Sequence, residues 1–340
     1  MVITQTPFRM SFVGGGTDFP EFYRKYGGSV ISTTFDKYCY VTVRHLPRFF
    51  DYRSHITYSK TESVDSSDEI VHPAIRETMK YMDMHELRLI YDADLPTKSG
   101  IGTSSSFVVG MLNAFYALKG KYVDKRKLAD DAIYVERELC AEIGGIQDQI
   151  AASFGGLNRI KFTSDGYTVQ PIIIPAERKQ SLCDNLMLFF TGFSRYSPQV
   201  QETTRNAIPE KISQLQETME LVDEAERILT GCGSLNEFGK LLDHVWHLKR
   251  TLSSDISNSF IDECYKKAKS AGALGGKILG AGGGGFLLFY AEPDKQKTLL
   301  KVLNNLLYVP FQFENSGTKV IHFEQEAFSM DNESNEVNNS

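Results

Sequence analysis
A chain of 340 residues exceeds what one ordinary core packs, so two domains are expected. With 41% hydrophobic and 24% charged residues the composition is globular, and a net charge of −6 with both signs interspersed argues against an extended basic face for nucleic acid. Cys39, Cys140, Cys183, Cys232 and Cys264 are scattered without a Cys-x-x-Cys pair, no apolar run nears membrane-spanning length, and Met1 to Gly16 reads as folded sequence instead of a signal peptide. A cytoplasmic protein with reduced thiols and no membrane association is therefore expected.

In chain order, residues 1 to about 178 carry strand-like runs at Ser29–Phe35, Tyr38–Arg44 and Leu87–Ala93, with the polar stretch Thr61–Glu69 reading as a loop. A helix runs from Thr103 to about Lys119, with Val108, Leu112, Phe115 and Leu118 as its apolar stripe, and a second covers about Asp124 to Glu142. Strands at Leu157–Phe162 and Tyr167–Ile174 close this half. The second domain, 179–328, opens with a buried-strand run at Leu186–Thr191. Helical segments follow near Pro198–Leu229, Leu235–Leu252 and Asn258–Ala271, then a glycine loop, the strand Phe286–Tyr290, the helix Asp294–Leu307 and a strand at Lys319–Phe323. Residues 329–340 are polar and read as a disordered tail.

The glycine segments narrow the chemistry. Gly280-Ala281-Gly282-Gly283-Gly284-Gly285 formally fits G-x-G-x-x-G, but a strand, not a helix, follows it, which removes the dinucleotide interpretation. Ile278 after Gly276-Lys277 likewise removes a Walker A loop, which needs Ser or Thr there. The segment Leu95-Pro96-Thr97-Lys98-Ser99-Gly100-Ile101-Gly102-Thr103-Ser104-Ser105-Ser106 follows a strand and enters the long helix. Two glycines permit a tight turn, the helix N-terminus adds partial positive charge, and the serines add donors or a metal ligand. This is an anion site suited to a triphosphate; a plain helix cap is the alternative.

Pro96 to Ser105 resembles the central motif of the GHMP small-molecule kinases, the family of galactokinase, homoserine kinase and mevalonate kinase. Pro7 to Asp18 resembles the family's N-terminal motif and Lys277 to Gly285 its C-terminal one, in the same order. Within the family, Gly14-Gly15-Gly16-Thr17-Asp18 and Gly144-Gly145-Ile146-Gln147-Asp148-Gln149 look most like the branch that phosphorylates O1 of a heptose 7-phosphate. The resemblance implies an α+β architecture with a ribosomal-protein-S5-like N-terminal domain and a ferredoxin-like C-terminal one. It further implies ATP between the domains, Mg²⁺, a small sugar-phosphate acceptor, and room for a homodimer.

It also implies roles. Asp148 matches the catalytic aspartate, able to take the acceptor proton; a helix N-cap is its bland alternative. Arg9 matches the arginine of the active centre, with a strand-edge salt bridge as the alternative. Ser104 and Glu136 match the Mg²⁺ ligands; Glu136 lies on the side of its helix with Ala129, Ile133 and Cys140, whereas Glu138 lies beside Asp131 and Glu142. Pro96, Lys98, Gly100, Gly102, Thr103, Ser104, Ser105 and Ser106 form the nucleotide set. Gly14, Gly15, Gly16, Thr17, Asp18, Gly282 and Gly283 form the acceptor set. Arg195, Lys249, Arg250 and Lys277 are candidates for a substrate phosphate, Arg195 first because it follows a buried strand and a turn. Fucose, arabinose or an isoprenoid precursor as acceptor, and a fold without catalysis, are the rival interpretations.

Overall fold
The structure is a computed structural model that describes residues 1–192 and 197–324. The N-terminal half runs β1 (Val2–Val13), α1 (Pro20–Tyr26), β2 (Gly28–His45), β3 (Ser54–Thr57), β4 (Thr61–Val64), α2 (Pro73–Tyr81), β5 (Leu87–Ala93), α3 (Thr103–Leu118), α4 (Lys125–Tyr134), α5 (Gln147–Phe154), β6 (Asn158–Thr163) and β7 (Gly166–Pro171). The remainder runs α6 (Ala176–Asp184), β8 (Leu186–Phe190), α7 (Ser197–Ala207), α8 (Ile212–Thr230), α9 (Asn236–Arg250), α10 (Ser259–Ser270), β9 (Gly275–Ile278), β10 (Phe286–Tyr290), α11 (Pro293–Val302), β11 (Leu307–Val309), β12 (Phe313–Glu314) and β13 (Lys319–Phe323).

Two sheets carry the architecture, which is α+β as expected. The first has the path β13-β1-β2-β5-β3-β4, with β6 and β12 also on β2 and β7 on β6. It is antiparallel except where β3 runs parallel to β5. The second has the order β11-β8-β10-β9, all antiparallel. Its βαββαβ connectivity is that of a ferredoxin-like layer.

β1 is central because its sequence changes character along its length. Its first residues alternate between buried and half-buried, whereas Thr6 to Val13 are buried throughout. Phe8, Met10 and Phe12 share one core with Leu188 and Leu288 of the second sheet and with Leu221 of α8 and Val245 of α9. The N-terminal strand thus lies at the junction of the two halves, with its polar residues Arg9 and Ser11 facing a cleft.

The structure corrects several boundaries. The two runs expected at Ser29–Phe35 and Tyr38–Arg44 are one strand, β2. Thr61–Glu69 is not a loop: it holds β4, paired with β3, and a 3₁₀ turn at Ser67–Glu69. The helix expected to reach Leu307 stops at Val302, and Leu307 begins β11. β12 and β13 pair with β2 and β1, so residues 313–323 return to the first sheet although they fall in the expected second domain. Arg195 and the tail expected at 329–340 lie outside the described residues.

Candidate active site
The Pro96–Ser106 segment leaves β5 and enters α3 as anticipated, and its shape is fixed by what it touches. Arg9 N–H donates to the Ile101 carbonyl (3.1 Å), which pins the loop to β1. Gly100 lies against the third glycine segment: an added Cβ would sit 2.5 Å from Leu279 O. From the other side, a Cβ on Gly280 would sit 2.4 Å from Gly100 Cα. Only hydrogen fits at either contact, so the central and C-terminal motifs are interlocked. Gly102 is the N-cap of the 16-residue helix α3, whose first N–H groups have no intrahelical acceptor and could receive an anion.

The four hydroxyls at this end divide by role. Thr103 Oγ1 accepts from Lys98 N–H (3.2 Å) and holds the turn. Ser106 Oγ, fully buried, donates to Pro7 O on β1 (3.0 Å). Ser105 Oγ donates to Glu136 Oε2 (2.7 Å). Ser104 is exposed at the helix start and so is the hydroxyl that faces outward. Lys98 and Pro96 are also exposed, and the Pro96 carbonyl accepts from Ser99 Oγ (2.6 Å).

Glu136 stands on a π turn, Val135–Leu139, that continues α4 with a Cys140 N–H to Val135 O bond. The single long helix expected to Glu142 is therefore interrupted. Glu136 is buried and Glu138 exposed. Oε2 of Glu136 accepts from Ser105 and also from Gln149 Nε2, while its Oε1 is buried with no hydrogen-bond partner. An orphaned carboxylate oxygen beside an anion loop fits a hard divalent cation. The hydroxyl that meets Glu136 directly is that of Ser105, while Ser104, the serine matched to a Mg²⁺ ligand, is exposed one residue earlier.

Asp148 is in the first turn of α5, whose N-cap is Ile146, so the capping alternative does not hold. Both of its oxygens accept from Arg9, Nε to Oδ1 and Nη2 to Oδ2, each at 2.7 Å. This is the bidentate fork favoured by guanidinium and carboxylate. Arg9 Nη1 donates in turn to Gly100 O (2.8 Å). Arg9 is thus no edge ion pair. It is buried and ties the carboxylate to the anion loop.

Beyond this fork opens a cleft lined among others by Arg9, Ser11, Gly14, Gly15, Gly16, Asp18, Gln147 and Asp148. Asp18 accepts from Gly16 N–H (3.0 Å) and Gln147 Nε2 (2.9 Å). Burial, and then the charge of Asp148, raise its pKa above the usual carboxylate value. Gly145 is obligatory here, since a Cβ would lie 1.8 Å from Asp18 Oδ2. Thr17 is buried and bonds the Gly14 and Ser29 carbonyls, which makes it a brace for the glycine turn. Gly282 and Gly283 are not on the cleft wall, which Gly280 and Ala281 line instead. Gly283 N–H is committed to Ile256 O (2.9 Å).

Sequence reasoning ranked Lys249 and Lys277 below Arg195, yet both line the cleft. Arg250 faces outward, paired with Asp262 (2.8 Å). Gln147 and Gln149, one residue on either side of Asp148, bond Asp18 and Glu136 respectively, partnerships that their place in the motif does not reveal.

Residues 69–156 match the profile described as "GHMP kinases N terminal domain", and residues 213–309 that described as "GHMP kinases C terminal". The chain is 30% identical over 334 residues to the D-glycero-alpha-D-manno-heptose 7-phosphate kinase of Campylobacter jejuni, spanning 93% of this chain and 97% of that one. It is 26% identical over 336 residues to the galactokinase of Pyrococcus furiosus, spanning 88% and 91%. Its fold is similar to that of a D-glycero-D-manno-heptose 1-phosphate kinase from Bacteroides thetaiotaomicron, with a TM-score of 0.78, 23% identity, and coverage of 96% and 100%. No helix among the described residues is long and apolar enough to cross a membrane.

Proposed function
The chain belongs to the GHMP kinases and is a sugar kinase that takes its phosphoryl group from ATP, and on that premise we propose that its acceptor is a sugar phosphate, with O1 of a heptose 7-phosphate as the hydroxyl that reacts. The observation that carries this proposal is the Arg9–Asp148 fork, which stands where the anion loop and the Asp18 cleft meet. ATP phosphates lie at the N-terminus of α3, against the free N–H groups and the Ser104 hydroxyl. The sugar lies in the cleft, with adjacent hydroxyls on Asp18 and the glycine turn.

Asp148 faces the acceptor hydroxyl and receives its proton as the oxygen attacks the γ-phosphorus. The new P–O bond forms as the bond to ADP breaks. Arg9 fixes the carboxylate's orientation and offsets the negative charge that gathers between donor and acceptor. Mg²⁺ fits beside Glu136, with Ser104 or Ser105 as the hydroxyl partner, and supplies charge neutralisation on the phosphates. Glu136→Gln keeps the bonds to Ser105 and Gln149 in shape while removing the charge. The expected result is a rise in the Mg²⁺ concentration for half-maximal activity of roughly 10- to 100-fold. An unchanged magnesium titration would remove Glu136 from this role.

The acceptor is tested by ADP release with heptose 7-phosphate, free heptose, mannose, fucose and galactose. A kcat/KM for the phosphorylated sugar at least about 100-fold above that for free heptose is expected, since a desolvated charge contact is at stake. Equal use of the free sugars would replace this proposal with a plain sugar kinase.

A further inference from the structure
Phosphoryl transfer as described uses Arg9 but leaves Lys249 and Lys277 of the same cleft without a task; a further cation there, Arg137, donates to the carbonyls of Glu142 (3.1 Å) and Gly145 (2.8 Å). Lys277 lies on β9, buried, and its Nζ donates to Phe12 O on β1 (2.8 Å). Lys249 lies in the last turn of α9, and its Nζ donates to Ile278 O (3.0 Å) and Gly280 O (2.6 Å). An ammonium carries three donors, so these bonds leave each lysine with capacity toward the cleft. Among the described residues neither lysine meets a carboxylate. The two carboxylates of the cleft wall are engaged elsewhere: Asp148 with Arg9, and Asp18 with Gly16 and Gln147.

The result is a group of like charges gathered in one wall. Burial and the neighbouring charge of Arg9 push Lys249 down to about 7. Burial, then Lys249 and Arg9, push Lys277 well below the usual lysine value. Without counter-charge the ammonium form of each lysine is disfavoured, and a dianion between them restores it. The nucleotide is not the natural candidate. Lys249 and Lys277 share their cleft with Gly14 to Gly16 and Asp18, whereas Thr103 and Ser104 of the anion loop are absent from its lining.

We propose that Lys249 and Lys277 together form the subsite for the phosphate already carried by the acceptor, an assignment that rests on the sugar-phosphate reading above. The cleft then holds the sugar at two points, hydroxyls on Asp18 and a phosphate on the lysine pair, and this fixes which hydroxyl reaches Asp148.

The test uses the full chain and two acceptors that differ only in the phosphate, heptose 7-phosphate and free heptose. Lys249→Met and Lys277→Met keep stem length and remove charge, and Lys240→Met, on the exposed face of α9 beside Glu237, is the control. Each cleft variant is expected to raise KM for the phosphorylated sugar by roughly 30-fold or more. KM and kcat for the free sugar should stay within about threefold, the scatter of a removed contact that the free sugar never makes. An equal loss on both acceptors would overturn the assignment, since the lysines would then serve the transferred phosphoryl group or merely brace the Phe12 and Gly280 carbonyls.

Inorganic phosphate on the unaltered protein gives a second readout if a variant does not fold. Inhibition competitive with the sugar phosphate supports the pair; inhibition competitive with ATP alone, or none, overturns it. Failure of the lysine assignment is distinguishable from failure of the acceptor reading. In the first case the unaltered protein still prefers the phosphorylated sugar; in the second it does not.

Discussion

Asp148→Asn lowers kcat by about 10²- to 10⁴-fold, the contribution typical of a positioned proton acceptor, while ATP affinity stays within about threefold. The asparagine keeps the shape of the carboxylate and one acceptor oxygen for Arg9. Its amide, however, turns an N–H toward a guanidinium N–H, so one of the two 2.7 Å bonds is lost. Arg9 retains its bond to Gly100 O and its own N–H to Ile101 O, which hold the anion loop independently of Asp148. That separation is why nucleotide binding and turnover should divide cleanly in this variant. Single-turnover phosphoryl transfer and calorimetric ATP binding measure the two quantities. A kcat within tenfold of the unaltered protein would mean that Asp148 orients the acceptor without receiving its proton, which a loose transition state permits.

What could be read in advance was local, and what could not depended on tertiary contact. The turn from β5 into α3 was legible because two glycines, a strand before and a helix after lie within a dozen residues. Glu136 was separable from Glu138 because its helical neighbours are apolar, and it is indeed the buried one. The π turn under it was invisible, since an i to i+5 bond has no composition signal of its own. The Ser105–Glu136 bond was invisible for the same reason: which hydroxyl meets Glu136 depends on how α3 lies against the turn after α4. Lys249 looked ordinary because helical lysines are usually solvated, and Lys277 because a lone lysine carries no burial signal. The place of Lys249 at the cleft follows from α9 packing on β9, and the burial of Lys277 from β1 supplying the Phe12 carbonyl, a contact between residues 265 positions apart. The return of β12 and β13 to the first sheet is a similar long-range fact, as β13 pairs with the opening residues of the chain.

The contact between the two glycine motifs carries the second large effect. Gly100 has a φ of +84°, which costs an alanine about 1–2 kcal/mol by itself, and its Cβ would lie 2.5 Å from the Leu279 carbonyl. Gly100→Ala is therefore expected to destabilise the protein by about 3 kcal/mol, a fall in melting temperature of roughly 4 °C for a chain of this length. The functional loss should be larger in proportion. Gly100 O is the acceptor for Arg9 Nη1, so a displaced loop drags the Arg9–Asp148 fork with it. Misplacement by about 1 Å is worth roughly 10²-fold in kcat/KM. Gly280→Ala addresses the same contact from the other side, where its Cβ would meet Gly100 Cα at 2.4 Å. Once either alanine has forced the loops apart, the second has less to displace, so the stability losses in the double variant should sum to clearly less than the two singles. Strict additivity, together with full ATP turnover in Gly100→Ala, would show that the loops move independently and that the nucleotide end of α3 does not depend on the third glycine segment for its position.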